Sequence, residues 1–133
     1  MIRRRLLLAE DDADDRDIFK DFLKDRQDIL LLPFVENGIE VFAFLDSINN
    51  VDLLPDLLIL DHNMPKLNGK QTLELLKSSN KYVHIPVVIY STYADEQLTD
   101  ICTKSGAIMV VSKPLTQAGY HLLIDECLKT INV

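Results

Sequence analysis

The sequence is poor in cysteine and in positive charge, and both shortages limit what the protein can be. Its two cysteines, Cys102 and Cys127, are too few and too far apart for a disulfide framework or a zinc site. Free thiols are typical of a reducing compartment, so we expect a cytoplasmic protein. There are 14 basic and 21 acidic residues, and the resulting net charge of −7 argues against nucleic acid or a membrane as a partner.

Long apolar runs are also absent. The one basic cluster, Arg3-Arg4-Arg5, is followed by only four apolar residues before Glu10, whereas a signal peptide needs a run of about 7–15. No run approaches the ~18 residues of a membrane span. The chain also lacks a Pro/Gly/Ser-rich linker and an internal repeat, so we interpret residues 1–133 as one domain with a single core.

Apolar runs of strand length alternate with stretches of helical periodicity. The runs cover residues 6–9, 29–35, 57–60, 86–91 and 107–111. Between them, apolar residues recur at helical spacing, as in Ile18, Phe19, Phe22 and Leu23. This repeated alternation of strand and helix predicts an α/β protein in which helices cover both faces of a parallel sheet.

One proline helps to predict the order of the strands. Pro33 lies in the second apolar run, and because it has no N–H to donate it belongs at the edge of a sheet. In the order 2-1-3-4-5 of flavodoxin-like, doubly wound sheets, the second strand is an edge strand. We therefore predict a five-stranded parallel sheet with that order.

Charged and polar residues follow the predicted strands at the end where such sheets bind ligands. The stretch "LLLAEDDADD" turns from apolar to acidic, so the first strand ends in Glu10 and Asp11. The third strand ends in Asp61, the fourth ends in Ser91, and the fifth leads into Lys113. In a doubly wound sheet these side chains meet in the crevice outside the carboxyl ends of the strands.

The chemistry of this predicted site follows from its charge. Neighbouring carboxylates repel one another unless a proton or a cation joins them, and Mg²⁺ prefers oxygen ligands. If Mg²⁺ and Lys113 neutralise an anionic phosphoryl group, a nearby aspartate can act as its acceptor. The pattern therefore favours phosphoryl transfer with Mg²⁺ as the cofactor.

Four segments resemble the receiver domain of two-component response regulators, in the same order and with the same spacing. They are "LLLAEDDADDR", "PDLLILDHNMPKLNG", "IPVVIYST" and "GAIMVVSKPLT". The resemblance extends over essentially the whole chain and implies the CheY-like form of the flavodoxin-like fold. The longer approach to the third strand resembles the single-domain regulators that are partnered with bacterial phytochrome-type kinases.

The resemblance implies a role for each residue of the acidic cluster. Asp61 stands at the position of the phospho-acceptor, and Asp11 at that of the carboxylate that binds the metal directly. The backbone carbonyl of Asn63 is the third metal ligand from the protein. Glu10, the first member of the acidic pair, is expected to hold a water bound to the metal.

The resemblance also assigns the residues that contact the phosphoryl group, and it exposes one departure. Ser91 and Lys113 occupy these positions, and the bond from Lys113 to Pro114 is often cis in the family. Many receivers carry Tyr or Phe three residues before the lysine as a rotamer switch, but this chain has Val110 there. We expect Tyr93, in the loop after the fourth strand, to report phosphorylation instead.

Other polar residues near the motifs are interpreted as structural. Asp12, Asp14 and Asp15 lie at the start of the first helix, where aspartate caps the helix and favours its dipole. His62 follows the acceptor position but has no metal-ligand spacing, so we expect a loop histidine.

The function expected from the resemblance is that of a stand-alone receiver with no output domain, not a turnover enzyme. A sensor histidine kinase or a histidine phosphotransfer protein would phosphorylate it. It would signal to a downstream protein or form a homodimer through the fourth helix, fifth strand and fifth helix, roughly residues 95–105, 107–111 and 117–131. The alternatives are an interaction-only pseudo-receiver and a Mg²⁺-dependent aspartate-nucleophile phosphatase, which would need a general acid where this chain has Asn63.

Overall fold

The computed structural model describes residues 3–132, in which five strands alternate with five helices. The strands are β1 (Arg4–Ala9), β2 (Ile29–Leu31), β3 (Leu57–Asp61), β4 (Val87–Ser91) and β5 (Met109–Ser112). The helices are α1 (Ala13–Leu23), α2 (Gly38–Asp46), α3 (Gly69–Lys77), α4 (Glu96–Lys104) and α5 (Gln117–Ile131), and a short 3-10 helix spans Val51–Leu53. All pairings are parallel in the order β2-β1-β3-β4-β5, which confirms the predicted fold.

The sheet separates two apolar layers. Alternate residues of the strands pack against α1 and α5 on one face and against α2, α3 and α4 on the other. Every residue of β3 and β4 is buried, as expected for central strands that are covered on both faces. Among residues 3–132, no helix is long and apolar enough to cross a membrane.

The second strand is shorter than the apolar run 29–35 predicted. β2 ends at Leu31, and the N–H of Leu32 still donates to the Leu6 carbonyl at 2.9 Å. Pro33 then interrupts the ladder because it has no N–H to donate. Pairing resumes only at Val35, which bridges to Ala9. Pro33 therefore lies just beyond an edge strand rather than inside it.

The fifth strand begins two residues later than predicted and includes Ser112. The N–H of Ala107 donates to the Cys102 carbonyl at 3.0 Å, so this residue closes the end of α4 instead of entering the sheet. Gly106 makes that turn possible, since its φ of 110° is a conformation that favours glycine.

Helix α1 begins directly after the acidic run, and its first turn explains part of that run. Asp12 is the N-cap, and its carboxylate accepts a hydrogen bond from the Asp15 N–H at 2.9 Å, as predicted for a capping aspartate. Phe19 and Leu23 are buried, one helical turn apart. Ile18, which was predicted on the same buried face, is instead 38% exposed.

The loop that follows β3 returns closely against the end of that strand. Asn68 caps α3 together with Gln71, and Gly69 is the first helical residue. A methyl group at Gly69 would lie 2.8 Å from the His62 Cα and 2.9 Å from the Asp61 carbonyl oxygen. Glycine is therefore required here because backbone approaches backbone, and this approach holds the end of β3 in place.

Candidate functional site

The structure brings Glu10, Asp11 and Asp61 together at the carboxyl edge of the sheet. Each offers a carboxylate oxygen, and these oxygens lie within 4.8 Å of one another. Glu10 and Asp61 are buried, whereas Asp11 is exposed. The arrangement follows from the parallel pairing of β1 with β3, which ends both strands at the same edge.

Lys113 lies at the centre of this acidic cluster. Its Nζ atom is 2.8 Å from Glu10 Oε1, 2.9 Å from Asp15 Oδ2 and 3.2 Å from Asp61 Oδ2. The backbone of Lys113 is fixed as well, because its N–H donates to the Ser91 carbonyl at 2.7 Å. One ammonium group thus bridges three carboxylates that would otherwise repel one another.

Ser91 and Asn63, the remaining predicted site residues, lie on the strand and the loop next to Asp61. Ser91 is buried at the end of β4, the strand next to β3. The backbone N–H of Asn63 donates to Asp61 Oδ1 at 3.1 Å, so the loop after β3 helps to hold the Asp61 side chain. The Lys113–Pro114 bond is trans, which differs from the cis bond that the family resemblance suggested.

Burial and mutual repulsion separate the pKa values of the two buried carboxyls. Burial, with Glu10 as the neighbouring anion, raises the pKa of Asp61 to about 8. Burial also acts to raise the pKa of Glu10, but hydrogen bonds with Asp61, Lys113 and Tyr90 outweigh it and lower that pKa. The cluster without metal therefore holds Glu10 as the anion and favours a proton on Asp61.

Tyr90 belongs to the site, although no motif of the sequence indicated it. Its hydroxyl donates to Glu10 Oε1 at 2.6 Å, and Lys113 Nζ lies 5.1 Å from the centroid of its ring. The side chain is fully buried in the layer beneath α1 and α5. Burial and the charge of Glu10 raise the pKa of Tyr90, so its hydroxyl remains a donor. The one sequence feature that could have indicated this role is the position of a single tyrosine in the otherwise aliphatic run "PVVIYS".

Asp15 has a role beyond the predicted one. We expected it to favour the dipole of α1, and it does lie in the first turn of that helix. Its carboxylate also accepts a hydrogen bond from Lys113, which no motif of the sequence indicated. Asp14, the neighbouring residue, is exposed and lies outside this contact.

His62, which was expected to be a loop histidine, and Tyr93, the expected reporter of phosphorylation, both lie beside the site. The N–H of His62 donates to the Tyr90 carbonyl at 2.9 Å, so it is a loop histidine as predicted, although its Nδ1 is buried without a partner. Burial lowers the pKa of this imidazole and keeps it neutral. Tyr93 is 75% exposed and lines a cavity of about 310 Å³ with His62 and Ser91, whereas Val110 is half-buried.

The donor set of the cluster fits a hard divalent cation. Its members, Glu10, Asp11 and Asp61, offer only carboxylate oxygens, which suit Mg²⁺, Ca²⁺ or Mn²⁺ rather than a thiophilic metal. A cation would also relieve the repulsion that raises the pKa of Asp61. The structure is therefore compatible with the predicted Mg²⁺ site.

Residues 6–125 match the family model of the response regulator receiver domain. The chain is similar to the chemotaxis protein CheY1 of Helicobacter pylori, with 29% identity over 114 residues that cover 84% of this chain and 86% of that protein. It is also 34% identical over 112 residues to the protein-glutamate methylesterase/protein-glutamine glutaminase of Bacillus licheniformis. That match covers 83% of this chain but 29% of the relative, so the chain spans less than a third of that protein's length.

Solved structures with the same fold include two response regulators. The phosphorylated cyanobacterial phytochrome response regulator RcpA superposes with a TM-score of 0.79 and 23% identity, covering 96% of this chain and 92% of that chain. The Mn²⁺-bound form of the response regulator Rcp1 superposes with a TM-score of 0.77 and 23% identity, covering 94% of this chain and 91% of that chain. At this level of identity the likeness concerns the fold.

The buried hydrogen bond from Tyr90 to Glu10 predicts a loss of stability in Tyr90→Phe. The variant keeps the packed ring but removes one donor from a buried anion, which should lower the free energy of unfolding by about 1.5–3 kcal/mol. Tyr120→Phe is the matched control, since Tyr120 is buried in the same layer and its hydroxyl makes no side-chain hydrogen bond within residues 3–132. Denaturant unfolding measures both, and equal losses would contradict the role given to the Tyr90 hydroxyl.

The raised pKa of Asp61 predicts how the stability of the metal-free protein depends on pH. Because folding raises this pKa to about 8, the folded state retains a proton that the unfolded carboxyl loses above about pH 4. Its contribution to the free energy of unfolding therefore falls as pH rises from about 4 to about 8 and is constant above. Asp61→Asn lacks this titrating group, so its free energy of unfolding should not fall in the same way. The difference between the variant and the parent should therefore grow by a few kcal/mol between about pH 4 and about pH 8.

Unfolding in denaturant at about pH 5 and about pH 8, with a metal chelator present, measures this difference. Asp14→Asn serves as the control for loss of one negative charge outside the cluster. An advantage of Asp61→Asn that is the same at both pH values would show that burial does not raise the pKa of Asp61.

Proposed function

Because the chain belongs to the response regulator receiver domain family, we propose that it is a phosphoreceiver in which Asp61 accepts a phosphoryl group with Mg²⁺ present. The observation that carries this proposal is the position of the Asp61 carboxylate. It is buried at the end of β3, with Lys113 Nζ at 3.2 Å and the carboxylates of Glu10 and Asp11 beside it. The Asp61 carboxylate, as the nucleophile, therefore lies beside both a positive charge and a candidate metal site.

The donor that we propose is a phosphohistidine of a sensor histidine kinase or of a histidine phosphotransfer protein. An Oδ atom of Asp61 attacks the phosphorus and forms a P–O bond. The P–N bond to the histidine breaks, and its electron pair remains on the imidazole nitrogen, which then takes up a proton. The product is an acyl phosphate on Asp61. The resemblance of the segment before β3 favours a phytochrome-type kinase as the donor.

Residues of the chain prepare Asp61 for this attack. Lys113 offers positive charge to a phosphoryl oxygen, and the Ser91 hydroxyl, at the end of the adjacent strand, can donate to another. The Asn63 N–H already holds one oxygen of Asp61 at 3.1 Å, which leaves the other facing Lys113. The backbone of the loop and the ammonium group thus orient the nucleophile.

Four groups would hold Mg²⁺: the carboxylates of Asp11 and Asp61, the carbonyl of Asn63 and, through a water, Glu10. The bound cation supplies positive charge that neutralises the phosphoryl oxygens and favours the ionised form of Asp61. Both oxygens of Glu10 already accept hydrogen bonds, from Tyr90 and from the Asp12 N–H. This occupancy supports contact through water rather than direct ligation.

The two alternative functions receive less support from the same residues. An aspartate-nucleophile phosphatase needs a general acid two residues after the nucleophile, and Asn63 cannot exchange a proton in that way. An interaction-only pseudo-receiver does not need a buried Asp61 in contact with Lys113 and beside the acidic pair. We therefore propose a phosphoryl acceptor and not a turnover enzyme.

Signalling is proposed to pass through protein contacts of α4, β5 and α5. Val110 is half-buried on β5 and is too short to act as the aromatic switch, and the exposed Tyr93 stands in the loop before α4. The N–H of Ala94, in the same loop, donates to Ser112 Oγ at 3.1 Å and so ties the loop to β5. A change at Ser91 would reach this loop directly, and the occupant of the face would be a downstream protein or a second copy of the chain.

The acceptor assignment is tested by chemical phosphorylation. Incubation with acetyl phosphate and Mg²⁺ should add the mass of one phosphate to the parent, as acetate leaves with the electron pair of the broken P–O bond. Asp61→Asn should abolish the added mass while the fold, followed by circular dichroism, is kept. Asp14→Asn removes the same charge outside the site and should label normally. Equal labelling of Asp61→Asn and the parent would refute the assignment.

The metal assignment predicts unequal effects within the acidic pair. Glu10→Gln, which acts through water, should weaken Mg²⁺ binding about tenfold, and Asp11→Asn should weaken it further because a direct ligand is lost. Titration with Mg²⁺ or Mn²⁺ by calorimetry measures both, again with Asp14→Asn as the charge control. The assignment is wrong if Asp11→Asn binds the metal as tightly as the parent.

A further inference from the structure

The ammonium group of Lys113 is surrounded by three carboxylates before any phosphoryl group arrives. An ammonium group has three N–H donors and no acceptor. In the structure it donates hydrogen bonds to two carboxylate acceptors, Asp15 Oδ2 at 2.9 Å and Asp61 Oδ2 at 3.2 Å, and its third neighbouring acceptor oxygen is Glu10 Oε1, an ion-pair partner at 2.8 Å. A phosphoryl oxygen that binds Lys113 must therefore displace one of these carboxylates.

The three acceptors differ in what it costs to release them. The side chain of Glu10 is fully buried and that of Asp61 is 3% exposed, so either would lose its cationic partner at a place where water cannot replace it. The side chain of Asp15 is 32% exposed and can be solvated when its contact with Lys113 breaks. Asp15 is thus the acceptor that a phosphoryl group displaces most easily.

Asp15 also differs in where it is attached. Glu10 and Asp61 stand at the ends of β1 and β3, whereas Asp15 belongs to the first turn of α1. Its backbone N–H is held by the N-cap residue Asp12 at 2.9 Å, so the carboxylate is presented to Lys113 from a fixed helical turn. The contact links α1 to the residue that follows β5.

We propose that Asp15 is a positioning residue that competes with the phosphoryl group for Lys113. This inference rests on the proposed phosphorylation of Asp61. In the unphosphorylated protein Asp15 occupies one N–H donor of the ammonium group, which a phosphoryl oxygen would otherwise use, and so slows phosphoryl transfer. When Asp61 is phosphorylated, Lys113 turns to the phosphoryl oxygens, the contact with Asp15 is lost, and the first turn of α1 is released from the end of β5.

The test compares Asp15→Asn with Asp14→Asn. Each substitution removes one negative charge from the first turn of α1, so each lowers the repulsion of an anionic phosphodonor to a similar extent. Neither side chain is the N-cap, which is Asp12. Only Asp15→Asn removes a carboxylate from Lys113. A difference between the variants therefore isolates that contact.

With acetyl phosphate and saturating Mg²⁺, intact mass measured over time should show Asp15→Asn labelling several-fold faster than Asp14→Asn. Asp15→Glu retains a carboxylate and should label more slowly than Asp15→Asn. Equal rates for Asp15→Asn and Asp14→Asn, or slower labelling of Asp15→Asn, would overturn the proposal. If the parent itself gains no phosphate on Asp61, the proposed function fails instead.

A second measurement does not depend on phosphoryl transfer. In the metal-free protein, the ¹⁵N resonance of the Lys113 ammonium group should shift in Asp15→Asn and stay at the parent position in Asp14→Asn. In the parent, beryllofluoride with Mg²⁺ should move the amide resonances of residues 13–16, and Asp15→Asn should reduce that movement. An unshifted Lys113 resonance in Asp15→Asn would overturn the proposed contact even if labelling of the parent is normal.

Discussion

The functional edge of the molecule depends on the ammonium group of Lys113. Three carboxylates from β1, β3 and α1 approach within about 3 Å of it, and two of them are buried. Without this cation the cluster would be a set of like charges in a poorly solvated crevice. The ring of Tyr90 and the carbonyl of Ser91 hold the lysine from the protein side. Elements that are distant in the chain thus become mutually dependent through one charged group.

The fold was predictable because its determinants are local and repetitive. Apolar runs bounded by Gly, Pro and acidic residues mark the strands, and parallel pairing then brings their carboxyl ends together. Pro33 indicated the correct edge even though it lies just beyond β2. The errors arose where a hydrogen bond competes with hydrophobicity, as at Ala107, which is apolar but closes α4.

Only those residues of the candidate site that directly follow or end a strand could be predicted from the sequence. Glu10, Asp11 and Asp61 satisfy that condition, and so does Lys113. Asp15 and Tyr90 do not, because one reaches the site from a helix and the other from within a strand. Their contacts depend on the angle of α1 and on the length of a phenol side chain. Neither property is expressed in the spacing of sequence motifs.

Because Tyr90 is buried in the apolar core, the packing of that core affects the electrostatics of the acidic cluster. Its ring packs in the same layer as Phe19, Tyr120 and Ile124, while its hydroxyl fixes an anion of the acidic cluster. A change of volume in that layer would shift the hydroxyl and alter the electrostatics of Glu10 without touching any polar residue. Aliphatic substitutions beneath α5 can therefore change the electrostatics of the acidic cluster while its charged residues stay unchanged.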